Sequence, residues 1–310
     1  MDKNWSAKDI PSQAGRRAVV TGANSGIGYH TALELARAGA EVTLAVRDVK
    51  KGAEALAALR AEVPTAKAQV EALDLQSLAS VRAFAERLRA RGGALDLLIN
   101  NAGIMALPER QTTNDGFEAQ FGTNHLGHFA LTGLVLPLLA AAPAPRVVTV
   151  SSSVTMWAKM DLENLQSEKK YSPMGTYGQS KLANLLFMLE LDRRAGVTGL
   201  VSAAAHPGAT ISGLQKHEFK RVIKLIGQPA DRGALPSLYV AVGEETVGGS
   251  YLGPRHLFGM QGPPTFAKLP GRAKDAALAA ALWEKSEQLT GVTFAFAGAA
   301  KGATAARRVG

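Results

Sequence analysis

Short apolar runs rich in β-branched residues alternate along this chain with longer stretches whose apolar positions recur at helical spacing. The first pattern predicts buried strands and the second amphipathic helices. Strands are predicted at RAVVT (17–21), EVTLAV (41–46), QVEAL (69–73), LDLLIN (95–100), RVVTVS (146–151) and LVSAAA (200–205), with a seventh near Ser250 to Gly253. Helices are predicted at about 26–38, 48–62, 77–91, 115–140 and 175–195. Such alternation calls for a parallel sheet with crossover helices on both faces. The expected architecture is a single-domain, Rossmann-type doubly wound α/β fold of about seven strands. Ligands of such sheets sit outside the C-terminal ends of the strands, where strand order reverses. Residues at those ends are therefore the candidates for chemistry.

Composition narrows the picture. With 310 residues and 46% hydrophobic content, the chain can bury a full core without a second domain. A polar arm (1–14) is expected before the domain (15–297), and a small, polar tail (298–310) reads as disordered. Within the domain, segment 208–229 is expected to act as a substrate lid. The net charge is +9 and the pI about 9.8. Lys and Arg are interspersed with Asp and Glu and form no compact patch with aromatics, so no nucleic-acid partner is expected. The absence of cysteine excludes disulfide and thiolate chemistry. The start MDKNWSAKDIPSQ lacks an apolar signal core, and the longest apolar stretch, Phe129 to Ala142, is short and interrupted by Pro137. No membrane span and a cytoplasmic location are expected.

The first predicted strand enters VVTGANSGIG (19–28), a glycine-rich turn followed by a helical pattern. Gly22 permits a tight turn, Gly26 lets backbone approach a pyrophosphate, and Gly28 lets the helix pack on the strand, with the helix N-terminus facing the anion. The second strand ends at Arg47-Asp48. A guanidinium there pairs with the 2′-phosphate of NADP, whereas an acidic residue would grip the ribose diol of NAD. Arg47 favours NADP(H), and Asp48 keeps NAD(H) open. Asp74-Leu75 closes the third strand with a carboxylate and an apolar neighbour suited to the edge and face of an adenine; Asp74 also suits the start of the next helix. Asn100-Asn101-Ala102-Gly103 is a small-residue turn whose amides can brace the strand ends and a cofactor ribose. Ser151-Ser152-Ser153 places hydroxyls at the tip of strand five. Tyr177 and Lys181, in TYGQSKLANLL, are four apart on one helical face, where the ammonium would lower the phenol pKa and tune it for proton transfer.

TGANSGIG, Asp74-Leu75, NNAG, Asn124 in NHLGHF, VSSS, YGQSK and HPG (206–208) together resemble the short-chain dehydrogenase/reductase superfamily over nearly the whole chain. VRD, TNHLGHF, LENLQSEKKYS, LANLLF and the stretch GRAKDAALAAALWEKSEQLTGV are most similar to its retinol dehydrogenase-like group. The resemblance implies a catalytic tetrad of Asn124, Ser152, Tyr177 and Lys181. It implies cofactor contacts from Gly22, Asn24, Ser25, Gly26, Ile27, Gly28, Arg47, Asp74, Leu75, Asn101, Ala102, Gly103, Tyr177 and Lys181, with Pro207 and Gly208 beside the nicotinamide amide. It further implies hydride transfer between nicotinamide C4 and a carbonyl or alcohol carbon. Ser152 would hold the substrate oxygen, Tyr177 would carry its proton, and Asn124 would hold a water linking Lys181 to solvent. Membrane-bound members begin with an apolar anchor, which this sequence does not show.

Met156, Trp157, Met160, Met188, Phe219, Leu225 and Ile226 suit either an apolar substrate pocket or core packing. His125 and His128 read as packing histidines, with no third residue at metal-ligand spacing and no metal expected. The basic run Lys216 to Lys224 reads as a solvated helix face. The expected activity is that of an NADP-preferring oxidoreductase on a fairly apolar small molecule. A non-enzymatic dinucleotide-binding sensor or scaffold on the same fold is the alternative. Helices 115–140 and 175–195 pair subunits in this family, so a homodimer or homotetramer is expected.

Overall fold

Among the residues that the computed structural model describes (2–196, 198–210 and 227–296), eight strands form one sheet in the order β3-β2-β1-β4-β5-β6-β7-β8. They are β1 (Arg17–Thr21), β2 (Glu41–Val46), β3 (Ala68–Ala72), β4 (Leu97–Asn100), β5 (Arg146–Val150), β6 (Val201–Ala205), β7 (Tyr251–His256) and β8 (Gln261–Phe266). Neighbours pair in parallel from β3 through β7, and β8 returns antiparallel on β7. The central strands are buried along almost their whole length, which is why they read as continuous apolar runs rather than alternating ones. Strand order reverses between β1 and β4, so a crevice opens there at the C-terminal ends.

The helices are α1 (Gly26–Arg37), α2 (Val49–Glu62), α3 (Leu78–Ala90), α4 (Ala119–Phe121), α5 (Gly127–Ala140), α6 (Pro173–Ala195), α7 (Ala230–Val242) and α8 (Ala276–Thr290). One face of the sheet packs on α1, α2 and α7 through Leu35, Leu44, Leu59, Ile99 and Leu238. The other packs on α3, α5 and α6 through Phe84, Leu98, Phe129, Val147 and Phe187. The N-terminal arm joins the first face, because Trp5 is buried and meets Tyr239 edge-on at 5.0 Å.

Several expectations require correction. The sheet has eight strands rather than seven, since the Pro- and Gly-containing hairpin partner β8 carries no apolar alternation. Strand β3 is shifted by one residue from the expected 69–73, and β4 starts later than expected. The helix expected over 115–140 begins at Ala119, and α4 runs through a π turn (Gly122–Leu126) into α5. Glycines flank Asn124 in this turn: a Cβ at Gly122 would lie 2.6 Å from Thr113 Cγ2, and one at Gly127 would lie 2.6 Å from the Leu75 carbonyl oxygen. Both ends of the turn are thus packed too closely for a side chain, and π turns are common at functional sites. Helices α7 and α8 were not expected. The first carries Pro236 inside, and the second is alanine-rich with weak contrast between its faces.

Helix α8 and the residues after it cover α5 and α6. Trp283 lies 5.0 Å from Phe129 and 4.5 Å from Phe294 between ring centroids, and it stacks on Phe187 at 5.8 Å. As a result α6 is buried without interruption from Gly178 to Met188 within a single chain. Met188 is core rather than pocket. No helix among the described residues is long and apolar enough to cross a membrane. Phe219, Leu225, Ile226, the basic run 216–224, most of the expected lid and the tail lie outside the described residues.

Candidate active site

A cleft of about 550 Å³ opens at the reversal point. It is lined by the glycine turn from β1, the ends of β2 to β4, Val150 and Ser151 from β5, Tyr177 and Lys181 from α6, and Pro207 after β6. The expected cofactor residues Gly22, Asn24, Ser25, Gly26, Ile27, Gly28, Arg47, Asp74, Leu75, Asn101, Ala102 and Gly103 all line it. Gly208 does not. Its left-handed backbone (φ +67) and close packing, with a Cβ that would meet the Met260 carbonyl oxygen at 2.3 Å, make it a turn residue behind Pro207.

The turn is built by close approach. A Cβ on Gly28 would lie 2.4 Å from the Gly22 carbonyl oxygen and 2.5 Å from Asn101 Nδ2, so only glycine fits. Ser25 stands at the N-cap of α1 without capping it through its side chain, and the first turn holds no acidic residue. The leading amides of α1 thus face the cleft with positive partial charge. Asn101 Nδ2 donates to the Thr21 carbonyl oxygen at 2.7 Å, so the small-residue turn braces the strand ends as its composition suggested. Asp74 Oδ1 accepts the Gln76 backbone N–H at 3.0 Å.

Cations gather at the end of β2. Arg47 is exposed and lines the cleft together with Lys51, one turn into α2. Asp48 is committed elsewhere, since its side chain caps α2 by accepting the Lys51 backbone N–H at 3.1 Å.

At the opposite end stand the residues expected to be catalytic. Lys181 is buried, and its Nζ donates to the Val150 carbonyl oxygen at 3.1 Å while lying 5.9 Å from the Tyr177 ring centroid. Tyr177 shares a side-chain hydrogen bond with Ser152. Ser151 lines the cleft and donates its hydroxyl to the Lys181 carbonyl oxygen at 2.8 Å, whereas Ser152 is not among the lining residues and its Oγ also accepts the Val154 backbone N–H at 3.3 Å. Asn124 stands fully buried behind the cleft wall. Its Oδ1 accepts the Ile104 N–H at 2.8 Å, and its Nδ2 donates to the Ile104 carbonyl oxygen at 3.0 Å and to Ser180 Oγ at 2.9 Å. Gly103 makes room for this group, since a Cβ there would approach Asn124 Oδ1 at 3.0 Å and Lys181 Nζ at 3.4 Å.

The electrostatics of these two groups differ from the expected tuning. Burial pushes the Tyr177 phenol up to about 12, against a lowering contribution from its Ser152 bond. Burial also brings Lys181 down to about 8. Desolvation disfavours the charged form of both groups, and at this separation it outweighs the expected lowering of the phenol by the ammonium.

Sequence reasoning missed several participants. Thr21, Lys51, Gln76, Ile104, Thr123 and Val150 also line the cleft. The Thr123 hydroxyl is buried there, with no hydrogen-bond partner among the described residues. Two further hydroxyls hold the Ser152 backbone: its carbonyl oxygen accepts from Thr155 Oγ1 at 2.7 Å and from the Tyr251 hydroxyl at 3.4 Å. Lys51 and Thr123 adjoin recognised motif residues and so carried a local signal. Tyr251, nearly a hundred residues from Ser152, carried none. Met156 and Trp157 follow the serine loop and are exposed, Trp157 by 72%.

The chain is similar to proteins of one known family. The family model described as short chain dehydrogenase matches residues 16–222. Retinol dehydrogenase 12 of Mus musculus is 40% identical over 285 residues, covering 90% of this chain and 87% of the relative. Polyprenol dehydrogenase of Mus musculus is 41% identical over 297 residues, covering 91% and 86%. A crystal structure of a protein from Mycobacterium paratuberculosis superposes with a TM-score of 0.80 at 47% identity, covering 94% of this chain and 100% of that one.

Proposed function

The chain belongs to the short chain dehydrogenase family, in its retinol dehydrogenase-like group, and from that premise we propose an NADP(H)-preferring oxidoreductase acting on a carbonyl or alcohol of an apolar molecule. The observation that carries the reading is that one cleft joins a glycine turn at an uncapped helix N-terminus to Tyr177 and Lys181. The cleft suits a dinucleotide on three counts. Glycine at 22 and 28 lets the turn close tightly against Ala102, Asn101 and the start of α1, the Thr123 hydroxyl is buried without a partner among the described residues, and the volume lies within the range of small-molecule sites.

When bound, a nicotinamide dinucleotide supplies or accepts the hydride. The glycine turn and the α1 amides would hold its pyrophosphate, and Asp74 and Leu75 its adenine. Asn101, Ala102, Gly103 and Lys181 would hold the nicotinamide ribose, with Pro207 at the amide end. Arg47 and Lys51 favour the 2′-phosphate of NADP, and the engagement of Asp48 as a helix cap weighs against its gripping a ribose diol. Ser152 orients the substrate oxygen. Tyr177, protonated throughout the neutral range, gives its proton to that oxygen in reduction and takes it back in oxidation. Lys181 keeps a positive charge beside the phenol below about pH 8, which stabilises the phenolate formed when the proton leaves.

The exposed Met156 and Trp157 beside the serine loop support an apolar substrate. So do the names of two relatives, retinol dehydrogenase 12 and polyprenol dehydrogenase, since retinol and polyprenols are apolar alcohols. Pairing of subunits through α5 and α6, the assembly expected from the sequence, would require displacement of α8, so a dimer would use another face.

Fluorescence titration with NADPH and NADH, followed by a panel of apolar aldehydes, ketones and alcohols, tests the proposal. Tyr177→Phe is expected to retain fold and NADPH binding while losing turnover by at least ~10²-fold. Full activity in that variant would refute the assignment of Tyr177, and binding without turnover on any substrate would favour the sensor reading.

A further inference from the structure

His128 lies one helical turn beyond Asn124, is 1% exposed, and has both ring nitrogens engaged. Nδ1 is 3.0 Å from the Asn124 carbonyl oxygen, and Nε2 is 2.9 Å from the Thr21 hydroxyl. A carbonyl oxygen only accepts, so Nδ1 carries the proton and Nε2 is an acceptor in the neutral ring. The Thr21 hydroxyl then donates to Nε2. Its two lone pairs are filled by the backbone N–H groups of Asn101 and Ala102, each at 2.9 Å. The Ile99 carbonyl oxygen, at 3.3 Å, is the more distant competitor for the hydroxyl proton. The bonds therefore run in one direction, from the Asn101 and Ala102 amides through Thr21 and His128 to Asn124.

Each end of this relay fixes a different part of the site. Thr21 holds the Asn101-Ala102 turn against the glycine loop, where a Cβ on Gly22 would already lie 3.0 Å from Ala102 Cβ. The Asn124 carbonyl lies in the π turn whose side chain is bonded to Ile104 and Ser180, and Ser180 adjoins Lys181. We infer that His128 is a positioning residue that couples the dinucleotide turn to the Asn124 end of the active site, one ring nitrogen serving each. The inference rests on the function proposed above, which gave His128 no part, and it replaces the reading of this residue as packing alone.

Two substitutions separate the halves. His128→Asn places its amide where Nδ1 stands and keeps reach to Asn124, but abandons Thr21. His128→Gln reaches toward Thr21 and abandons Asn124. His128→Asn is expected to raise the NADPH dissociation constant about tenfold, the effect of one lost hydrogen bond, with a smaller effect on kcat. His128→Gln is expected to show the opposite split, with kcat falling about tenfold and NADPH affinity less affected. Thr21→Val, read by NADPH binding alone, should reproduce the His128→Asn defect, and the double variant should be no weaker than either single one. Thr21→Ser, which restores the hydroxyl, should recover binding.

Equal losses of affinity and kcat in both His128 variants, tracking their melting temperatures, would overturn the inference and leave His128 a packing residue. So would wild-type binding by Thr21→Val. An unmodified chain that binds neither NADPH nor NADH would overturn the proposed function and this inference together. Binding without turnover would leave the Thr21 and His128→Asn measurements to decide the inference alone.

Discussion

Lowering the pH from about 7 to about 5 is expected to cost this fold ~6 kcal/mol, because three histidines are buried in neutral form. Burial is the main cause in each: His125 falls to about 3, and His128 and His206 to about 4. In the unfolded chain each titrates near ~6.5. Between about pH 4 and 6.5 the unfolded state therefore binds more protons than the folded one. Stability rises with pH through that window, is complete above it, and is lost as pH falls. At about pH 5 each ring sits ~1.5 pH units below its unfolded pKa while still neutral in the fold, which favours unfolding by ~2 kcal/mol per ring. The sum is comparable to the whole stability of a typical domain, ~5–15 kcal/mol. Glu118 and Asp192 act in the opposite sense, since burial raises both above their ordinary values, and they offset part of this loss at the acid end of the window. Urea unfolding at several pH values gives the slope, expected at ~4 kcal/mol per pH unit between about pH 5 and 6. His125→Phe supplies the control. The ring lies among Phe121, Phe129 and Phe187, and its partner Ser286 keeps a donor bond to the Leu282 carbonyl oxygen at 2.7 Å. Whatever that variant loses in absolute stability, its slope should fall by about a third. An unchanged slope would refute the claim that burial holds His125 neutral.

Three further outcomes follow from the geometry of the cleft. Arg47→Ala and Lys51→Ala should each weaken NADPH binding about five- to tenfold while leaving NADH binding nearly unchanged, as loss of a charge-assisted contact implies; equal losses for both cofactors would remove the 2′-phosphate assignment. Gly28→Ala drives a methyl group into the Gly22 carbonyl oxygen and Asn101 Nδ2, and should destabilise the chain by about 1–3 kcal/mol and abolish dinucleotide binding; thermal melts and NADPH fluorescence report the two effects. Tyr251→Phe removes one of two hydroxyls on the Ser152 carbonyl oxygen, and should lower kcat several-fold without changing NADPH affinity, whereas a matched loss of affinity would show that the tyrosine does not act through the serine loop.

Residues near one another in sequence were legible in advance. The six leading strands announced themselves as β-branched runs, and the glycine turn, the β2 end and the Tyr177–Lys181 pair each lie within one element or one turn, where spacing alone dictates proximity. Only the tertiary structure decided the rest, because it depends on which elements meet. Helix α8 looked featureless alone, and its role emerges where Trp283 closes over Phe129 and Phe187. Desolvation set the pKa values of Tyr177 and Lys181 against the trend their spacing suggested, since burial is a property of the whole fold. The contacts of Thr21 with His128 and of Tyr251 with Ser152 join positions roughly a hundred residues apart, and no periodicity in the chain encodes them.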